Sequence, residues 1–174
     1  FAKDMVARGY AYPCFCSEED LAQLRQDQEA QGVKPGYYGE WAKWRDASLE
    51  QVAAQLEQGE RPVIRIRAPY PNEARARFHD VIKGDLDLPA NDQDTVLLKS
   101  NSLPTYHFAH VVDDTLMRVT TIIRGEEWLP SAPLHVQIFE FLGVPMPAFA
   151  HIAPIAKLEG SSKRKLSKRK DPEA

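Results

Sequence analysis

Lys165-Leu166-Ser167-Lys168-Arg169 places two lysines and a serine hydroxyl on one short loop near the end of a 174-residue chain. Ammonium groups are compact point charges that neutralise phosphoryl oxygens as charge moves onto them, and a small hydroxyl between them donates to the same oxygens. Such a loop can clamp a triphosphate, so nucleotide chemistry is the first expectation; a solvated basic tail or a general polyanion patch is the other reading. The chain holds no G-x-G-x-x-G fingerprint and no GxxxxGK[ST] loop, so a nucleotide would have to be held at strand ends.

A second concentration of polar groups runs from Lys99 to Trp128: Lys99-Ser100-Asn101-Ser102, Pro104-Thr105-Tyr106-His107, Asp113-Asp114 and Arg124-Gly125-Glu126-Glu127-Trp128. Arg124 ends the β-branched run Val119 to Ile123. In an open α/β sheet the carboxyl ends of the strands face the ligand crevice, and a guanidinium there can grip an anion. Its alternative is a surface ion pair with Asp113, Asp114 or a nearby glutamate. Asp113-Asp114 read as capping or turn residues, and His107 and His110, three apart on one helix face without a third ligand, as pocket or core imidazoles. Cys14 and Cys16, the only cysteines, read as buried small hydrophobes.

The rest of the composition bounds the class. With 43% hydrophobic and 27% charged residues the chain can bury a core, and no apolar run approaches the ~20 residues of a membrane span. Without a charged-then-apolar leader it reads as cytoplasmic. It opens with Phe1 inside an amphipathic pattern (Met5, Val6, Tyr10), as a piece of a larger protein would. The net charge of −3 is uneven: residues 157–170 hold seven basic groups and one acid, and the remainder holds 15 basic and 24 acidic, a net of −9. That asymmetry suits one local phosphate site better than a face coating nucleic acid.

The elements that must position these groups follow from capping and periodicity. Gly9 closes a first helix, Tyr10 to Phe15 is a strand, Ser17 and Asp20 cap a helix reaching Gln31, and Ser48 caps another ending at Gly59. Ile64 and Ile66 alternate with Arg65 and Arg67, and with Phe78 to Ile82 and Asp85 to Leu88 they predict an antiparallel meander. From Val96 a strand, a helix over Thr105 to Met117, a strand over Val119 to Ile123 and a helix over Pro133 to Leu142 predict half of a parallel α/β sheet. The domain boundary falls near residue 95.

Val96-Leu97-Leu98-Lys99-Ser100, Pro104-Thr105-Tyr106-His107, Val112-Asp113-Asp114, Ile123-Arg124-Gly125-Glu126-Glu127-Trp128 and Lys165-Leu166-Ser167-Lys168-Arg169, in this order and spacing, resemble the bacterial glutamyl-tRNA synthetase family over essentially the whole chain. The resemblance implies an α/β fold: residues 1–95 an inserted α+β acceptor-stem-binding domain with a preceding helix end, and residues 96–174 the second half of a Rossmann-type class I catalytic domain. It implies ATP-dependent activation of L-glutamate, with Mg2+, and transfer to the 3′ end of glutamate tRNA. Tyr106 and Arg124 would contact the amino acid, Arg124 through its side-chain carboxylate; His110 stands where many relatives place an asparagine facing the α-carboxylate. Glu127 would lie at the ATP side, Ile155 and Ala156 would line the adenine pocket, and Lys165, Ser167 and Lys168 would form the KMSKS-type loop. The family's His-x-Gly-His signature is absent from these 174 residues, so the chain alone is expected to be inactive. Cys14-Phe15-Cys16 matches the first half of a zinc site found in some relatives, but Trp41-Ala42-Lys43 stands at the second half, so no zinc is expected. Alternatives are a glutaminyl-tRNA synthetase, the paralogue that glutamylates queuosine in tRNA, or a stand-alone tRNA-binding module.

Overall fold

The computed structural model describes residues 1–69, 73–159 and 162–166. The chain opens with α1 (Ala2–Ala7), β1 (Ala11–Cys14) and α2 (Glu18–Ala30), then α3 (Leu49–Glu57), β2 (Val63–Ile66), β3 (Arg75–Asp80), β4 (Gly84–Pro89) and β5 (Val96–Leu98). It continues through α4 (Tyr106–Leu116), β6 (Thr121–Gly125), a 3-10 turn at Glu126–Ser131, α5 (Ala132–Leu142), β7 (Ala148–Ile152), β8 (Ala156–Glu159) and β9 (Ser162–Lys165). Both expected helix caps form: Ser17 accepts from the Asp20 amide while Asp20 reaches back, as expected, and the Ser48 cap of α3 proves to be a capping box as well, with Gln51 reaching back. Gly143 ends α5 at φ 69°, a left-handed conformation natural to glycine.

Two sheets carry the core. One orders β1-β2-β5, all antiparallel; the other orders β4-β3-β7-β6, in which α5 is the crossover between parallel β6 and β7. The parallel half-sheet is thus present, but β5 is not its first strand. It pairs with β2 instead, because Ile64 and Leu98 bring their apolar faces together there. The predicted meander is half correct: β3 and β4 form a hairpin around Lys83-Gly84, but β2 lies in the other sheet. β3 joins β7 in parallel at the single pair Asp80 and Phe149.

One cluster of buried side chains runs from Met5, Ile66 and Phe78 through Leu97 and Phe108 to Ile138, Phe139 and Phe149. Packing therefore continues across residue 95: β3 and β4 share a sheet with β6 and β7, and β5 shares one with β1 and β2. Among the described residues no helix is long and apolar enough to cross a membrane.

A smaller cluster holds Tyr12, Cys14, Tyr37 and Ala42. Cys14 Sγ donates to the Tyr37 hydroxyl at 3.3 Å, Cys16 Sγ lies 3.3 Å from the same oxygen, and the Trp44 amide donates to it at 3.2 Å. The cysteines are therefore more than apolar filler. A hydrogen bond with Cys16, together with Tyr37, lowers the Cys14 thiol against the opposing effect of burial, and the same sharing raises Cys16.

Candidate functional site

β6 ends at the point where its backbone runs beside the end of β7, and Arg124 is paired in register with His151. Arg124 Nε donates to His151 Nε2 at 2.9 Å, and Nη1 lies 2.9 Å from His135 Nδ1 on α5. A guanidinium has only donors, so both imidazole nitrogens facing it present lone pairs. His151 then carries its proton on Nδ1, 2.6 Å from Asp80 Oδ2, and His135 carries its proton on Nε2, 2.9 Å from His107 Nδ1. Donation thus runs outward from Arg124, through His151 to Asp80 on one side and through His135 to His107 on the other, across five separate elements. The guanidinium carbon also sits 5.1 Å from the centre of the Phe149 ring.

Burial and hydrogen bonding act together on the charges here. Asp80, His135 and His151 are fully buried. Desolvation, reinforced by the Arg124 cation and the neighbouring histidines, pushes His135 down to about 2. Desolvation first and the Arg124 charge second also lower His107, and desolvation is the main cause for His110. For Asp80 desolvation works upward, but the His151 ring and the amides of Lys83, Ile82 and His151 outweigh it, holding the carboxylate below its usual range.

Arg124 thus bonds to imidazoles and, among the described residues, to no carboxylate, which removes the ion-pair reading with Asp113 or Asp114. Its Nη2 is buried without a hydrogen-bond partner, and so is His110 Nε2. A buried polar group left unpaired costs about 1–3 kcal/mol, and an incoming carboxylate removes that cost at a guanidinium. His110 packs edge-on against His135, with ring centres 4.8 Å apart, and stacks on Tyr106 at 5.8 Å and 10°. Tyr106, half exposed, leans on Trp128 at 4.8 Å. His110 Nδ1 lies 2.8 Å from Asp114 Oδ2, although that oxygen makes no aligned hydrogen bond. Tyr106, His110 and Arg124 are therefore neighbours through His135.

The remaining candidates form a second group just past the end of β6. Lys165 Nζ donates to Glu127 Oε1 at 2.5 Å, and this bond holds the Glu127 carboxyl below its ordinary value. The β8–β9 hairpin pairs Ala156 with Lys165, and the Leu166 amide donates to the Ile155 carbonyl at 2.8 Å, so Ile155 and Ala156 adjoin the lysine. Ile155 is 79% exposed, an apolar side chain left largely open to solvent. Gly125 leaves room for this arrangement: a Cβ there would lie 2.0 Å from Glu127 Oε2. Ser167 and Lys168 lie outside the described residues.

Asp80, His135 and His151 escape a reading of sequence alone, although a signal existed. His135 interrupts the apolar run Ala132 to Leu142, and His151 ends Ala148-Phe149-Ala150; an imidazole in such a setting needs a polar partner. Asp80 follows an alternating strand and gives no comparable hint. Among the described residues no group of three or more His, Cys, Asp or Glu side chains is arranged to hold a metal.

Parallel strands ending in an arginine, beside a hairpin that carries a lysine to the same edge, define a class I synthetase catalytic-domain fold of mixed α/β content. The model of the catalytic domain of class I tRNA synthetases (E and Q) matches residues 1–174, and the chain belongs to that family. Over all 174 residues it is 57% identical to the glutamate–tRNA ligase of Clostridium beijerinckii and 56% identical to that of Clostridium perfringens SM101, covering 32% of each. The chain thus spans about a third of the length of these relatives. The crystal structure of a glutamate tRNA ligase from Elizabethkingia meningosepticum, in complex with its amino acid, matches 96% of this chain and 34% of that one with a TM-score of 0.83 at 39% identity.

Proposed function

We propose that this chain is the part of a glutamate–tRNA ligase that selects glutamate and holds one side of ATP. The observation that carries the reading is Arg124: a half-buried side chain whose Nη2 is buried and, among the described residues, unpaired, with imidazole partners on its other nitrogens, suited to receive a carboxylate. Arg124 takes the side-chain carboxylate of glutamate, with Tyr106 and His110 beside it on the amino-acid side. Glu127, Ile155 and Ala156 face ATP; the glutamate α-carboxylate attacks the α-phosphorus in line, forming the adenylate as the bond to the bridging oxygen breaks and pyrophosphate leaves, and Mg2+ would offset phosphate charge. Lys165, Ser167 and Lys168 neutralise the charge that develops on the phosphates. No residue here acts as a covalent nucleophile. Residues 1–95 would face the acceptor stem of glutamate tRNA and residues 96–174 would supply the second half of a Rossmann-type domain, the two sharing one core in this chain. A cytoplasmic setting suits these partners, and zinc has no role in the reading.

The test uses the full-length enzyme. Losing one partner of a desolvated charge pair costs roughly 2–5 kcal/mol, so Arg124→Ala lowers kcat/KM for glutamate at least about tenfold. The KM for ATP stays nearly constant. Glutamine, which lacks the charge, is penalised much less, and the preference for glutamate collapses. Retention of the full preference would return Arg124 to a structural role.

A further inference from the structure

We propose that His151, oriented by Asp80, and His135, oriented by His107, are positioning residues that fix the Arg124 guanidinium and preserve its charge for an anionic ligand. The inference rests on the reading of Arg124 as the partner of the substrate carboxylate. Two of the three guanidinium nitrogens are occupied, Nε by His151 and Nη1 by His135, and Nη2 has no partner among the described residues. Rotation of the fork would break both bonds, so the unpaired nitrogen is held in one place.

The identity of the acceptors matters as much as their position. A carboxylate in either place would hold the arginine more tightly and would also neutralise it, leaving little field for an incoming carboxylate. A neutral imidazole accepts the hydrogen bond and leaves the positive charge uncompensated. The carboxylate of Asp80 stands one ring further back: it fixes the tautomer of His151 by accepting from Nδ1, and presents the Nε2 lone pair to Arg124. His107 plays the corresponding part for His135 with a neutral acceptor. Among the described residues Tyr106, His110 and Asp114 also stand close enough to interact with the Arg124 charge, and none of them bonds to it. Discrimination between glutamate and glutamine then depends on imidazoles that never touch the substrate.

The experiment compares His151→Phe, His151→Gln and Arg124→Ala in the full-length enzyme, measuring ATP–pyrophosphate exchange with glutamate and glutamine, and thermal unfolding. Phenylalanine keeps the ring and removes the acceptor; the glutamine amide oxygen reaches the position of Nε2. His151→Phe should raise the KM for glutamate about tenfold or more, leave the KM for ATP within about twofold and reduce the glutamate-to-glutamine ratio of kcat/KM about tenfold. His151→Gln should recover the glutamate KM to within about threefold of the parent. A folded His151→Phe variant with unchanged glutamate KM and preference overturns the inference, as does an equal loss in His151→Phe and His151→Gln. A fall in melting temperature alone, with the kinetics intact, shows a packing role and also overturns it. If Arg124→Ala abolishes the preference while His151→Phe does not, only this inference fails; if Arg124→Ala keeps the preference, the reading of Arg124 itself fails.

Discussion

Asp80 and His151, 71 residues apart in the chain, meet at 2.6 Å through Oδ2 and Nδ1, and the same carboxylate accepts from the His151 amide at 3.1 Å. Its other oxygen closes the turn after β3 by accepting from the amides of Ile82 and Lys83. One buried side chain therefore ties the β3–β4 hairpin to the strand that faces Arg124.

Removing it should be costly. Asp80→Ala leaves the His151 ring and three amides without their acceptor in a dry setting, and breaking such a buried arrangement costs about 3–5 kcal/mol. Urea unfolding of the 174-residue chain measures this, and a loss below about 1 kcal/mol would mean that the orphaned donors find other partners.

Acid should destabilise the fold before its carboxylates titrate. His107, His110 and His135 all have folded values below that of a free imidazole, His135 about 2. Between the unfolded value near 6.5 and these lowered values the unfolded chain binds protons that the folded chain refuses, so stability is full above ~6.5 and is lost as pH falls. For His135 the slope is about 1.4 kcal/mol per pH unit, which makes about 2 kcal/mol between pH 6.5 and 5. Unfolding free energies at pH 7.5 and 5.0 check it: the difference should shrink in His135→Gln, and an unchanged stability in the parent would contradict a neutral His135.

The cysteine pair should behave as a hydrogen-bonded dithiol. Two sulfurs meet the Tyr37 hydroxyl, and Trp41 and Lys43 offer no further thiolate or imidazole, so elemental analysis of the purified chain should find no zinc. Tyr37→Phe strands the Trp44 amide and both thiols and should cost about 1–2 kcal/mol. About one zinc per chain, lost in Cys16→Ser, would overturn the first expectation.

Lys165 should act on the chemical step. Lys165→Ala in the full-length enzyme should slow adenylate formation at least about tenfold in single-turnover measurements, while the KM for glutamate changes little. An unchanged rate would leave the Glu127 contact as a surface ion pair with little effect.

Local features of the fold were legible because their causes are local. Ser17 with Asp20, Ser48 with Gln51 and Gly143 carry their capping chemistry within three or four residues, and the structure places helix ends beside them. The alternation of Ile64 and Ile66 identified a strand but not its partners, since β2 could satisfy its apolar face against β3 or β5 with the same pattern. The same limit applied to the site. Tyr106 and Arg124 stood out by type and position, and Arg124 lies at a strand end as its run of apolar neighbours implied. Its partners were hidden, because register across β6 and β7, rather than spacing along the chain, sets His151 opposite Arg124.

That hidden register also fixes when the site can exist. Closing a long stretch of chain is entropically costly and slow, and Asp80 to His151 closes one of the longest stretches in this core. A chain emerging from the ribosome can hold its helices and the β3–β4 hairpin while β7 is still unmade, and its arginine then lacks the His151 acceptor of its Nε. If Arg124 receives the substrate carboxylate as proposed, affinity for an anionic amino acid is complete only when β7 arrives, so ligand binding would report on a completed sheet rather than on any segment of it.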